Sequence, residues 1–473
     1  MKKEKQKEQG STVRPFGMRD KLGYMFGDFG NDFTFIFASS YVMVFYSKVM
    51  GISTGIIGTM FVIARCVDAV TDIGMGRIVD LCKPGKDGKF KCWIRRISGL
   101  VALSSFLMYQ SFLQDASMNV KIAYMFITYL LWGSVFYTAI NIPYGSMASV
   151  ISNHPKDRSS LSVFRSLGSM LAMIVITVAS PLVIYYTDSD GNQVVDAGRF
   201  TLLAGIFSIC AIVCYLLCYF MTTERVKPEP VTDTEPSQIS FGKLFTDVMK
   251  SKAFWGMLLC AILMMFATTA TQSLNNYLFA DYFQNATALS VYSVLALPAT
   301  LLLLGISTPV SVRFGKKESG VACYFAAGVI YVLIAAARFE NVWIFIGVSF
   351  IAIIARQCFG MQAYALVTDV IDDLEVQTGS RNDGIVYGVY SFARKLGQAI
   401  AGGVSGWALA WIGYDSAAVT QTAAVRLGVY EISALLPAAS YLLCALILAF
   451  LYPLNKKRVE SNVKELEIRR KEK

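Results

Sequence analysis

The stretch ARCVDAVTD, residues 64–72, sets three ionisable side chains inside an apolar run, with GIIGTMFVI before it and IGMGRIV after it. Arg65, Asp68 and Asp72 are spaced three and four apart, so on a helix of 3.6 residues per turn they share one face, with Thr71 beside them. A charge at the centre of a bilayer costs at least about 2.5–3.5 kcal/mol on insertion scales, and such groups face a bundle interior or a wet cavity. An ion pair of Arg65 with Asp68 would neutralise itself, but one guanidinium cannot neutralise both carboxylates. Two carboxylates one turn apart make an oxygen-rich site suited to a cation or a shuttled proton.

The elements that position this site are membrane helices. The chain has 473 residues, of which 55% are hydrophobic and only 16% charged, with a mean hydropathy of +0.50. Soluble domains carry about 25% charged residues. The net charge of +10 invites a nucleic-acid reading. That charge sits in the tails and in alternate loops, however, as the positive-inside rule requires, so no nucleic-acid partner is expected. The first 27 residues are polar and basic, which predicts no cleavable signal peptide.

Cysteine and histidine usage argue against catalysis. Eight of the ten cysteines fall in apolar segments, and Cys82 and Cys92 flank a basic loop, so no disulfide framework is expected. Cys210, Cys214 and Cys218 form an i, i+4, i+8 stripe with no histidine near it, which reads as small helix-packing residues. The only histidine, His154, lies in a loop. Most histidine-based metal or nucleophilic chemistry is thereby excluded. The expectation is a protein that is not an enzyme and has no cofactor.

Twelve apolar segments are predicted, at 29–50, 54–80, 94–114, 119–149, 161–186, 199–222, 253–283, 288–312, 320–338, 341–371, 384–412 and 430–452. Their connections alternate in charge. LCKPGKDGKFKCWIRR follows the second segment, and Arg313, Lys316 and Lys317 follow the eighth, whereas TDSDGNQVVDAG after the fifth has three aspartates and no base. Both termini should therefore be cytoplasmic, in a multi-pass protein of the inner (plasma) membrane. The longest polar break, 223–252, contains Pro228, Pro230 and Pro236 and then FGKLFTDVMK, which reads as a short surface helix. It divides the chain into an N-terminal six-helix half, 1–222, and a C-terminal half with a basic tail, 253–473. Gly88-Lys89 and Gly315-Lys316-Lys317 after the second and eighth segments hint at an internal repeat. Two six-helix halves describe an all-α membrane protein of the major facilitator fold, which binds its solute between the halves near the midplane.

Further polar residues are embedded in these segments. Asn31 and Asp32 lie early in the first, and Thr138, Asn141, Pro143, Tyr144 and Gly145 in the fourth. Arg165 lies in the fifth, where it could also snorkel, and Gln272, Asn275 and Asn276 in the seventh. Amides and aromatics together suit polyols, since hydroxyls need paired donors and acceptors. The tenth segment carries Arg356 and Gln362, then TDVIDDLE with Asp369, Asp372, Asp373 and Glu375, which reads as a cytoplasmic gate network. Arg394 and Lys395 lie roughly eleven residues, or about 16 Å, into the eleventh. At that depth at least one of them must meet an anion or a carboxylate across the cavity.

The motifs GDFGNDF, GTMFVIARCVDAVTDIGMGRIVD, GKFKCW, NIPYGSM and RNDGIVYGVYSFARKLGQAI, in that order, resemble those of the glycoside–pentoside–hexuronide:cation symporters, the family of melibiose permease. The resemblance covers nearly the whole chain. It implies cation coordination by Asp68, Asp72, Thr71 and Thr138, with Na⁺ held by Asp68 and Asp72 if sodium couples, and sugar contacts from Asp32, Arg165 and Lys395. Three positions depart from that pattern. Asn141 replaces an aspartate that joins cation and sugar sites, Gly145 a tryptophan, and Asn31 a lysine. The NIPYGS form and the Arg394-Lys395 pair are nearer the glucuronide and xyloside branches.

The expected function is secondary active uptake of a glycoside, pentoside or hexuronide with H⁺ or Na⁺. Substrate contacts are expected from Asn31, Asp32, Asn141, Tyr144, Arg165, Asn275, Asn276, Arg394 and Lys395. The coupling cation is assigned to Asp68, Thr71, Asp72, Thr138 and Asn141. The expected partners are the sugar and membrane lipid, and the expected state is a monomer. A lipid or sulfonated-solute carrier and a non-transporting membrane sensor are the alternatives.

Overall fold

The helices of this computed structural model follow the apolar segments. The described residues are 14–82, 85, 87–152, 154–226, 249–379 and 383–471. The first half contains α1 (Met18–Val44), α2 (Thr54–Leu81), α3 (Lys91–Leu107), α4 (Met118–Leu130), α5 (Thr138–Ile151), α6 (Pro155–Ile184) and α7 (Ala197–Met221). The second contains α8 (Lys252–Tyr277), α9 (Ala286–Val294), α10 (Ala296–Phe314), α11 (Lys316–Ala337), α12 (Val342–Gly360), α13 (Ala363–Thr378), α14 (Asp383–Trp411) and α15 (Ala423–Leu446). A polar helix, α16 (Lys456–Lys471), follows. A π-helical stretch, Leu131–Tyr137, joins α4 to α5. With α4–α5, α9–α10 and α12–α13 each taken as one crossing, the described residues form twelve crossings in two six-helix halves, the major facilitator arrangement. The run FGKLFTDVMK lies almost entirely outside the described residues.

Among the described residues, eight crossings are long and apolar enough on composition alone to span a bilayer. The others include α1, α2 and α14, which carry Asp32, the Arg65–Asp68–Asp72 cluster and Lys395. α1 also begins well before its apolar stretch. Asp20 in its first turn is favoured by the helix dipole and is held by Arg14 and Arg225, each 2.8–2.9 Å away. The eighth segment breaks at Leu295, because Pro298 tolerates only the first turn of the helix that follows. The tenth breaks at Gln362, whose amide is satisfied by Ser319 Oγ and the Ser307 carbonyl, both at 3.2 Å.

The two halves run parallel. Along α1 and α8 and the π-helical stretches that continue them, Phe45–Val49 and Leu278–Tyr282, Ser39 pairs with Ser273, Ser40 with Asn276, Ser47 with Tyr277 and Lys48 with Asp281. Both helices therefore start on one face of the bundle, here called the near face. At the opposite, far face Asp281 also accepts from the Tyr414 hydroxyl at 2.9 Å. α2 crosses α14 there on glycines. A Cβ at Gly406 would lie 2.5 Å from the Thr54 carbonyl, and one at Gly58 2.7 Å from that of Gly403.

The sequence hint of a repeat has a structural counterpart at the near face. Gly88 and Gly315 both adopt positive φ, at 116° and 99°. Soon after each, a lysine ties back to its own half's sixth crossing. Lys91 Nζ donates to the Thr222 carbonyl and Lys317 Nζ to the Tyr452 carbonyl, both at 2.7 Å. In the first half Glu224 adds a cap, accepting from the amides of Lys89, Phe90 and Lys91 at 2.7–2.9 Å. The acidic run of α13 is likewise tied within its own half. Asp369 pairs with Lys316 and Asp373 with Arg458.

Candidate functional site at the interface of the two halves

The carboxylates of α2 face a cavity of about 300 Å³ of water-accessible space between the halves. Asp68, Asp72, Arg65, Thr138, Asn141 and Lys395 line it, with apolar walls that include Trp132 and Phe392. Asp68 accepts from Arg65 Nη1 at 3.0 Å, the pairing that the spacing of three predicts, and from the Ser134 hydroxyl. Asp72 accepts from the Thr138 hydroxyl at 3.1 Å and forms an ion pair with Lys395 of α14. Each carboxylate thus has one base and one hydroxyl. Two acids face two bases, so the cavity is electroneutral as it stands.

The hydroxyls come from one deformation. The π-helical stretch Leu131–Tyr137 changes the facing of the chain between α4 and α5. π-Bulges recur at functional sites. Here Ser134 and Thr138, one turn apart, are both aimed at α2. Pro143 lies inside α5, where its missing N–H also loosens the ladder. Ser134 was not singled out from the sequence, and its spacing of four from Thr138 is the signal that could have found it. The Thr71 hydroxyl instead donates to the Val67 and Asp68 carbonyls of its own helix, both at 3.2 Å.

The remaining expected residues divide into groups. Asn141 accepts from Asn31 Nδ2 at 3.4 Å, and the Tyr215 hydroxyl donates to Asn31 Oδ1 at 2.8 Å. Arg165 Nε donates to Asp28 at 2.9 Å, and its guanidinium lies 5.4 Å from the ring centre of Tyr144, which stacks on Tyr24. Arg165 is therefore paired rather than snorkelling. Asp32, one turn beyond Asp28, is not among the residues lining the cavity. A Cβ at Gly145 would meet nothing within 4 Å.

Asn275 and Asn276 are buried, and Asn276 Nδ2 donates to the Ser40 carbonyl at 2.7 Å, which closes the halves together. Gln272 lines a smaller space with Arg65, Gln398 and Phe35, beside the main cavity. Arg394 opens into a different cavity, inside the second half. Among the described residues, the hydrogen bonds and ion pairs that cross between halves lie from Asp72–Lys395 towards the far face.

Two halves closed at one face, with a charged cavity at mid-depth, are the architecture of a major facilitator membrane transporter. The family described as MFS/sugar transport protein matches residues 23–456. The chain belongs to this family. It is 29% identical over 458 residues to the uncharacterized symporter YjmB of Bacillus subtilis (strain 168), with 96% of each chain covered. It is 27% identical over 458 residues to the glucuronide carrier protein homolog of Escherichia coli (strain K12), again with 96% of each chain covered. Among solved structures, a mutant of the nucleoside transporter NupG superposes with a TM-score of 0.63 at 13% identity, covering 92% of this chain and all of that one, a likeness of fold alone. The chain is thus a membrane transporter of the MFS/sugar transport family, not an enzyme.

Proposed function

We propose that the protein imports a glycoside, pentoside or hexuronide across the inner membrane in symport with H⁺ or Na⁺, using Asp68 and Asp72 as the coupling site. The observation that carries this is the matched pairing at the cavity, one base and one hydroxyl for each carboxylate. A cation arriving at Asp72 takes the place of Lys395, which is then released to the solute from the opposite half. Coupling follows because Lys395 cannot serve Asp72 and the solute at once. Protons suffice for this exchange. Na⁺ is the weaker partner, since Asn141 removes one negative charge from its surroundings.

The near face, with its basic loops and both termini, is the cytoplasmic one, so closure at the far face makes this an inward-facing state. The rocking units are residues 1–222 and 253–473, joined by 223–252, and the protein works as a monomer in the lipid bilayer. Thr71, Thr138 and Asn141 complete the cation site. Asn31, Asp32, Tyr144, Arg165, Asn275, Asn276, Arg394 and Lys395 contact solute at some stage of the cycle, the two asparagines of α8 when the far face opens. Counterflow in proteoliposomes with a panel of glycosides and glucuronides, run with and without Na⁺ and a proton gradient, tests the reading. Uptake into solute-free proteoliposomes that ignores both gradients would remove symport.

The largely apolar cavity wall keeps a second reading open, a lipid or sulfonated-solute carrier, because the amides of α8 do not line it. A sulfonated solute without a sugar ring in the same panel separates the two.

A further inference from the structure

Arg394 and Lys395 are neighbours on α14 but serve different spaces. Lys395 lines the cavity between the halves. Arg394 lines a cavity of about 160 Å³ of water-accessible space within the second half, whose other walls include Arg356 and Gln357 of α12, Thr268 of α8 and Tyr324 of α11. Among the described residues, the charged groups lining this cavity are the guanidiniums of Arg356 and Arg394.

Arg356 forms no ion pair or hydrogen bond among the described residues, and tyrosines surround it: Tyr441, Tyr331, Tyr292 and Tyr324. Ring hydroxyls offer it dipoles, not a counter-charge. Ionisable groups at membrane depth are costly and mark solute or ion pathways. A guanidinium fork matches a carboxylate or sulfonate with two parallel hydrogen bonds, a geometry that a neutral hydroxyl cannot use. Consecutive Cα atoms lie about 3.8 Å apart, so the two cavities flank neighbouring residues of α14.

We propose that the Arg356–Arg394 cavity is an anion subsite that holds the carboxylate or sulfonate of an acidic glycoside, while the sugar ring lies towards Lys395. This rests on the sugar-symport reading and narrows it to acidic sugars. The subsite explains why Arg356, which touches neither the cation site nor the interface, is kept charged inside the second half.

The test uses the full chain in proteoliposomes. Counterflow of p-nitrophenyl glucuronide is compared with that of p-nitrophenyl glucoside for the wild type, Arg356→Gln, Arg394→Gln and Arg356→Lys. The wild type should favour the acidic glycoside. Each glutamine variant should lower the acid-to-neutral ratio about ten- to a hundredfold, the loss expected for one charged hydrogen-bond partner. Arg356→Lys should recover part of it. A ratio unchanged in both glutamine variants, including an equal loss of both solutes, overturns the subsite.

Titration calorimetry of purified protein with glucuronate and with sodium acetate is read alongside. If acetate saturates the arginines and leaves glucuronide exchange untouched, the site takes a free anion and the proposal fails. If the wild type exchanges no glycoside yet binds glucuronate through Arg356, the symport reading fails while the anion subsite stands.

Discussion

Lys395 of α14 and Asp72 of α2 form an ion pair that ties the second half to the first at mid-depth of the bundle. Every other polar bond between the halves among the described residues lies nearer the far face. The pair is half exposed to the cavity at Lys395 and a quarter exposed at Asp72, so an arriving cation can compete for the carboxylate. Removing either partner leaves the other charge without its counter-ion. Lys395→Gln and Asp72→Asn should each lower the thermal stability of the purified protein, and the double variant should regain most of the loss. A coupling energy of about 0.5–3 kcal/mol is expected from residues in direct contact. Simple additivity in that cycle would show that the pair is not energetically linked.

Asp68→Asn should leave solute exchange running while uphill accumulation stops. Ser134→Ala removes the hydroxyl donor to the same carboxylate. It should weaken the apparent cation affinity about tenfold, in line with roughly 1–3 kcal/mol for an acceptor deprived of its partner. Concentrative uptake by an Asp68→Asn, Asp72→Asn double variant would place coupling elsewhere in the molecule.

Asn141 lines the cavity beside Thr138, and Thr138 bonds Asp72. Asn141→Asp adds a carboxylate close to the other two. Three negative charges repel unless a metal cation binds among them, so Na⁺ dependence should strengthen. Uptake measured against Na⁺ concentration checks this, and an unchanged half-saturation would count against a shared site.

The far face is held by a buried ion pair, Lys48 with Asp281, and by the glycine crossing of α2 on α14. Asp281→Asn strands Lys48 at a cost of about 3–5 kcal/mol, the range for breaking a buried pair. Gly406→Val forces Cβ against the Thr54 carbonyl. Both should disfavour the closed far face. Thiol labelling of a cysteine introduced at Phe61 should quicken in either variant, and protection equal to wild type would mean that closure does not depend on these contacts.

Topology is checked by labelling the β-hairpin of Tyr185–Thr187 and Gln193–Val195, whose turn carries Asp188. A cysteine at Asn192 should react with an impermeant reagent added from outside intact cells. Reaction only after lysis would invert the assignment of faces.

The amino-acid sequence by itself determined the class of this protein. Apolar length and alternating loop charge are local quantities, and they suffice for twelve crossings and two halves. Periodicity placed Arg65, Asp68 and Asp72 on one face, and the spacing of three was enough to pair Arg65 with Asp68. The depth of Arg394 and Lys395 implied that a counter-charge was needed, and Asp72 supplies one for Lys395.

Only the tertiary structure decided which neighbour each group meets. Arg394 and Lys395 differ by one residue, or about 100° around α14, and a rotation that small sends them into separate cavities. No sequence pattern fixes the rotation of one helix against its partners, because packing of all the surrounding side chains sets it. The π-helical stretch that turns Ser134 towards Asp68 is equally silent in the sequence, since its extra residue per turn has no compositional mark. Asn276 is a solute-ligand candidate in the sequence because it is an amide at membrane depth. In the closed far face it bonds Ser40, and that contact depends on two helices remote in the chain coming into register.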